Sequence, residues 1–320
     1  MTRVALLAAS VLAACSACSD DRPAPVRTTE PPRVQLPGTL WFVEGTSLVR
    51  LHAGARTVIG ENLFPSTGAL PDGRLVAISS RGDGSADSEQ LALISADGKV
   101  TRVGPTAAQV RDPAVDPRGA WIVAAINLDG HSDLYRIDLG GAEATTRITN
   151  DAAGNFHPVV MGDDIVYVSS RDGDAELYKT GQRLTAFYKD DFDPAPSPDG
   201  RTLAFSSDRE GPVRLFVMNP DGTQLRRLTT RMDELDEAEL TWSRDGAHVA
   251  YVVDGRVIVR HVATGTERSL GDGLEPVFSP DGTYLAVSRV RGQTTDIWAI
   301  PLGVGEPVQV ATDARLPRWR

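Results

Sequence analysis

Cysteine is nearly absent from this 320-residue chain: its only two, Cys15 and Cys18, lie beside the N-terminus. The remaining sequence therefore holds no internal disulfide, no thiolate metal site and no cysteine nucleophile. Histidine is also scarce. His52, His131, His157, His248 and His261 stand far apart, without the spacing of a metal-binding motif. Positive charge is outnumbered, 33 Lys and Arg against 43 Asp and Glu, for a net charge of −10. That disfavours nucleic acid, whose phosphates need clustered cations. A basic protein partner or a cation is compatible with it. No Gly-x-Ser-x-Gly elbow occurs and no phosphate-binding glycine loop, and no hydrolase domain follows the repeats, so a serine-peptidase reading has no nucleophile. Helical periodicity is missing beyond the first residues, and an all-β fold is expected.

The N-terminus explains the two cysteines. Arg3 is followed by an apolar run from Val4 to Ala14, the length of a signal peptide and too short to span a bilayer. It ends in Leu12-Ala13-Ala14-Cys15, which resembles a bacterial lipobox. The resemblance implies a signal peptide over residues 1–14 and diacylglycerol on Cys15. Acyl chains at about 0.8 kcal/mol per buried CH₂ anchor a protein without a transmembrane helix. Ser16 after the cysteine implies an outer-membrane destination, facing the periplasm or the cell surface. Residues 15–37 then form a tether, in which Pro23, Pro25, Pro31, Pro32 and Pro37 punctuate polar sequence. It buries no apolar area, and stretched out it reaches about 60 Å.

Residues 38–320 repeat with a period of about 40 residues, the period of a propeller blade. The clearest copy begins PAPSPDGRTLAFSSDREG at Pro194 and a second begins PVFSPDGTYLAVS at Pro276. Further copies start near Thr67, Pro113, Pro158 and Leu240. Each reads as four short strands. In Ser197-Pro198-Asp199-Gly200, Pro presets φ, Asp bonds the local backbone and Gly takes the left-handed position. The next strand, Leu203-Ala204-Phe205, is apolar on both faces, as a strand sandwiched between neighbouring blades must be. The copy from Thr39 to Ile59 lacks a first strand, and Leu316 to Trp319 looks like one with no blade after it. Joining them predicts a seven-bladed β-propeller closed by pairing the C-terminal strand with the N-terminal blade, which removes two sheet edges. Asp254-Gly255 predicts a two-residue hairpin in the sixth copy.

The motifs Ser197-Pro198-Asp199-Gly200, Ser279-Pro280-Asp281-Gly282, Ser206-Ser207-Asp208-Arg209 and the closing Leu184-Thr185 and Leu228-Thr229 resemble the WD-like repeats of the TolB family. Similar repeats occur in the propellers of prolyl-oligopeptidase-type peptidases. The TolB resemblance implies a protein-binding platform in the cell envelope, since that propeller docks a lipoprotein through its channel face. Two departures stand out: a tether where TolB has an α/β domain, and a lipid signal where TolB is soluble in the periplasm. A fold of this kind hosts many activities.

The residue before each predicted first strand recurs at one level of the channel: Ser66, Asp112, His157, Asp193, Glu239, Glu275 and Leu316. Asp190 and Asp191 lie just upstream of one, Asp236 upstream of another. Together they predict an acidic channel face for an envelope protein or a basic peptide segment, with enzymatic activity less expected than binding. The opposing reading is that Arg81, Arg171 and Arg209, in the turn after the second strand, neutralise this ring. No organic cofactor is expected; calcium or another divalent cation is the metal such a ring would take. The Asp172-to-Glu176 and Asn127-to-Asp133 stretches lack the full calcium-loop pattern and read as turns. The alternative function is a carbohydrate-binding or carbohydrate-cleaving propeller with paired carboxylates at the same mouth. Against it, Trp41, Trp121, Trp242, Trp298 and Trp319 fall in strand patterns rather than where a sugar would stack. A monomer is expected.

Overall fold

In the computed structural model, residues 35–81, 88–140 and 144–320 are described, and among them every regular element is a strand. The lipobox, Cys15 and most of the tether lie outside the described residues. The strands form seven four-stranded antiparallel sheets. Blades two to seven run in chain order, with inner strands Leu63–Ala69, Gln109–Val115, Asn155–Met161, Asp191–Pro196, Glu237–Trp242 and Leu274–Phe278. Blade one takes its inner strand, Ala314–Trp319, from the far end of the sequence and adds Thr39–Glu44, Ser47–His52 and Ala55–Glu61. The seven inner strands touch one another in a closed circuit, which places them around a common axis.

Apolar burial follows that circuit. Seven core clusters lie at the seven blade-to-blade junctions, for instance Met161, Val166 and Leu177 against Leu203, Phe205 and Phe216 between blades four and five. This is why second and third strands such as Leu203–Ser207 and Arg214–Met218 are buried at every position. The ring closes as the repeat predicts. Leu40 pairs with Trp319 and Trp41 with Arg318, and Thr39 and Arg320 exchange backbone hydrogen bonds of 2.5 and 2.8 Å. Trp319 is 5% exposed, and its Nε1 donates to the Pro37 carbonyl at 2.5 Å. Leu36 packs against the same junction, so chain contact with the propeller starts before residue 38.

Turn chemistry matches sequence. Ser197 Oγ donates to Asp199 Oδ1 at 2.6 Å and Gly200 has φ 67°; the same bond recurs from Ser243 to Asp245 and from Ser279 to Asp281. Asp254 and Gly255 have φ of 49° and 70° between paired Val253 and Arg256, a tight hairpin turn.

Candidate functional site

The inner strands begin a few residues earlier than the repeat motif suggests, and each contains a bulge. Pairing skips between Arg111 and Ala114, Phe156 and Val159, Phe192 and Ala195, Ala238 and Thr241, and Leu274 and Val277. Opposite Trp41 and Val43 it skips over Leu316 and Pro317. The bulge explains the proline inside a strand: at Pro113, Pro158, Pro194, Pro276 and Pro317 no ladder donor is needed. The residue before it turns left-handed. Asp112, His157, Asp193, Glu239, Glu275 and Leu316 have φ between 46° and 57°. For residues other than Gly such backbone costs on the order of 1–3 kcal/mol and persists where surrounding structure imposes it. The inner strand of blade two is different: its pairing skips from Pro65 to Ala69, and the Ser66 hydroxyl donates to the Val76 carbonyl. So the channel-facing series sits within the strands, at one bulge per blade, rather than in the loops entering them.

Three of these side chains meet. His157 Nδ1 lies 2.8 Å from Asp193 Oδ1, and its Nε2 lies 3.3 Å from Asp112 Oδ2. The imidazole thus bridges carboxylates of the blades on either side. Burial pulls its pKa down, but the Asp193 hydrogen bond and the charges of Asp112 and Asp193 outweigh it and push it up to about 8. Glu239 Oε2 accepts from the Glu275 N–H at 2.5 Å, and Glu275 Oε2 accepts from the Leu316 N–H at 3.0 Å and Ser288 Oγ at 2.6 Å. Each carboxylate of this arc therefore caps the bulge of the next blade. Burial pushes the Glu239 carboxyl above its usual range; the charges of Glu275 and Asp193 add to that, against the pull of the Glu275 N–H and Arg318. Arg318, two residues beyond Leu316, is the arginine that faces this arc. Burial lowers its pKa while Glu275 and Glu239 favour its charged form. Its Nε is buried without a partner among the described residues.

The turn arginines do not neutralise the ring. Arg209 donates to both oxygens of Asp191 at 2.7 Å, and Arg171 lies 3.1 Å from Asp151 and 2.9 Å from the Tyr167 hydroxyl. Arg81 lines a separate cavity in blade two. The acidic residues upstream of the ring are likewise apart from it. Asp191 is fully buried in its ion pair, Asp190 Oδ1 accepts from the Ala175 N–H at 2.8 Å, and Asp236 Oδ1 accepts from the Val213 N–H at 2.7 Å. The structure thus brings Asp112, His157, Asp193, Glu239 and Glu275 into one circuit and gives Asp190, Asp191 and Asp236 local roles. Among the described residues no group of three His, Cys, Asp or Glu is arranged to hold a metal ion. Both nitrogens of His157 already face carboxylates.

A further feature is not carried by the repeat motifs. Leu128, Ile148, Phe187, Tyr188, Met232 and Leu235 are exposed large apolar residues, with Tyr188 71% and Met232 86% exposed. All lie in second-to-third-strand turns or in loops entering inner strands, at the one mouth of the channel to which both connections lead. They occur in successive blades, from three to the loop entering six.

Comparison with known proteins agrees with this architecture. No family model matches the chain. It is 32% identical over 162 residues to a protein named TolB homolog from Chlorobium luteolum, covering 46% of this chain and 36% of that one. The crystal structure of TolB from Acinetobacter baumannii superposes with a TM-score of 0.57 at 17% identity, covering 88% of this chain and 66% of that one. This is a TolB-like propeller. The chain spans about a third of the length of the curated TolB homologues it matches. An oligogalacturonate lyase in complex with manganese matches the TolB-like propeller with a TM-score of 0.62 at 15% identity, over 84% of this chain and 83% of that one. At such identity the likeness is one of fold.

Proposed function

We propose that this TolB-like propeller is a protein-binding platform of the cell envelope that takes a basic peptide segment at the channel mouth. The observation that carries the reading is a circuit of four carboxylates and His157 on the inner strands, together with exposed apolar side chains in the loops of blades three to six. Protein interfaces combine an apolar contact patch with polar groups that fix orientation, and exposed apolar patches on a soluble fold mark such contacts. Low-dielectric walls focus the field of the carboxylates on an incoming cation. The left-handed bulges aim those side chains inward on rigid strands rather than on loops, so the site is largely preformed. The resemblance to TolB supports a protein partner, and the lipobox resemblance supports attachment to the outer membrane through Cys15.

The test is capture from envelope extract with the wild-type propeller and with an Asp193→Asn, Glu239→Gln double variant. A specific partner held by the former and lost from the latter supports the reading. A partner retained by the double variant, or none specific to the propeller, contradicts it.

A further inference from the structure

One cation stands beside the acidic circuit without closing on it. Arg318 belongs to the inner strand of blade one, Ala314–Trp319, two residues beyond Leu316. Burial disfavours its charge, while the charges of Glu275 and Glu239 favour it. Elsewhere an arginine facing a buried acid grips it: Arg209 holds Asp191 with two bonds of 2.7 Å, and Arg183 donates to Glu176 at 2.7 Å. Arg318 holds no acid in this way. Among the described residues its hydrogen bonding is a single contact, from Nη1 to the Pro317 carbonyl at 2.8 Å. Its Nε is buried without a partner, its Nη2 makes no bond, and it forms no ion pair. A guanidinium carries five N–H donors in a fixed fork, so most of this one is unspent.

The position is particular to blade one. The first residue paired after the bulge is Ala114, Val159, Ala195, Thr241 and Val277 in blades three to seven, and Arg318 in blade one. A small or apolar side chain therefore suffices for the fold there, and the arginine adds a charge that packing does not require. The carboxylates that act on it are half-used as well. Glu239 and Glu275 accept the N–H of the next bulge through Oε2, at 2.5 and 3.0 Å, and among the described residues neither Oε1 accepts a bond.

The order along the axis gives the site a direction. Each inner strand starts at the mouth to which its entering loop leads and runs inward from it. Strand rise puts Arg318 roughly 6 Å deeper than the ring position Leu316. A segment coming through that mouth meets Asp193, Glu239 and Glu275 first and the unspent guanidinium after them. A lysine or arginine side chain satisfies the first group, and only an anion satisfies the second. In a segment whose side chains are basic, the anion available at a leading end is the terminal carboxylate, which a guanidinium fork holds with two parallel bonds.

On the reading that this mouth takes a basic segment, we propose that the segment enters by its C-terminus, with its terminal carboxylate on Arg318 and its last Lys or Arg side chain on the free oxygens of Glu239 and Glu275.

The experiment is fluorescence anisotropy of the full chain with one lysine-rich peptide, labelled at its N-terminus and made in two forms, the free C-terminal acid and the C-terminal amide. The amide carries the greater positive charge, so general attraction to an acidic mouth favours it. The expected result is the reverse, with the acid bound at least about tenfold more tightly. Arg318→Gln should bring the two forms within about twofold of each other. It should still bind the amide, which reports that the variant's site is folded. Arg318→Lys keeps the charge but not the fork and should retain part of the preference. Equal binding of acid and amide by the wild type, tighter binding of the amide, or an undiminished preference in Arg318→Gln would overturn the assignment and leave the basic-segment reading standing. Binding of neither form by the wild type would remove both.

Discussion

Replacing His157 by Gln should cost stability in acid and little in base. The imidazolium is held by Asp193 at 2.8 Å and Asp112 at 3.3 Å, and its pKa in the fold is about 8 against 6.5 ordinarily. At about 1.4 kcal/mol per pH unit, that gap bounds the contribution at about 2 kcal/mol. The side chain is 43% exposed, so solvent screening reduces the expectation to about 1 kcal/mol. A pKa raised in the folded state gives stability that is complete below pH 6.5 and lost as pH rises through about 8. The assay is urea unfolding of the wild type and His157→Gln at intervals from pH 5.5 to 9. Subtracting the two curves removes the other histidines, which both proteins share. The difference should be about 1 kcal/mol at pH 6 and should fall away by pH 9. A flat difference across that range, or a His157 pKa at or below 6.5 by NMR, would refute the reasoning.

Three other outcomes follow from the same structure. Asp191→Ala leaves Arg209 partly buried without its carboxylate, so about 3–5 kcal/mol should be lost in chemical unfolding, far more than for an exposed aspartate. Leu316 sits at φ 55°, so Leu316→Gly should be close to neutral, whereas the β-branched Leu316→Val should destabilise by about 1 kcal/mol or more, measured by thermal unfolding. If Cys15 carries the lipid anchor, labelled palmitate should enter the protein expressed in a Gram-negative host and be absent from Cys15→Ala, with the variant released from the membrane fraction.

Most of the architecture was legible because propeller blades are written in short, local signals. Ser-Pro-Asp-Gly turns, two-faced apolar strands and a fixed period need no long-range information, and the orphan strands at the two ends showed how the ring closes. The recurring inner-strand position was legible for the same reason, as one place repeated in each copy. Its geometry was not. A bulge inside a strand leaves no distinct signature when its proline also looks like a strand's first residue, so the ring residues read as loop rather than strand. Pairing was the other hidden term. The separation between Asp191, which closes on Arg209, and Asp193, which faces His157, depends on which side of a pleat each occupies across the bulge. Arg318 was hidden because the carboxylates whose charges act on it, Glu239 and Glu275, come from other blades. The exposed apolar residues from Leu128 to Leu235 are scattered over several loops, and no repeat motif marks them.

The claim that this mouth takes a basic segment is tested most directly by fluorescence anisotropy with labelled Lys/Arg-rich and Asp/Glu-rich peptides of equal length. The account predicts saturable binding of the basic peptide alone, tighter at pH 9 than at pH 6 as His157 loses its proton. It also predicts binding at least tenfold weaker in the Asp193→Asn, Glu239→Gln double variant. Equal binding of both peptides, or of the basic peptide by both proteins, would contradict it.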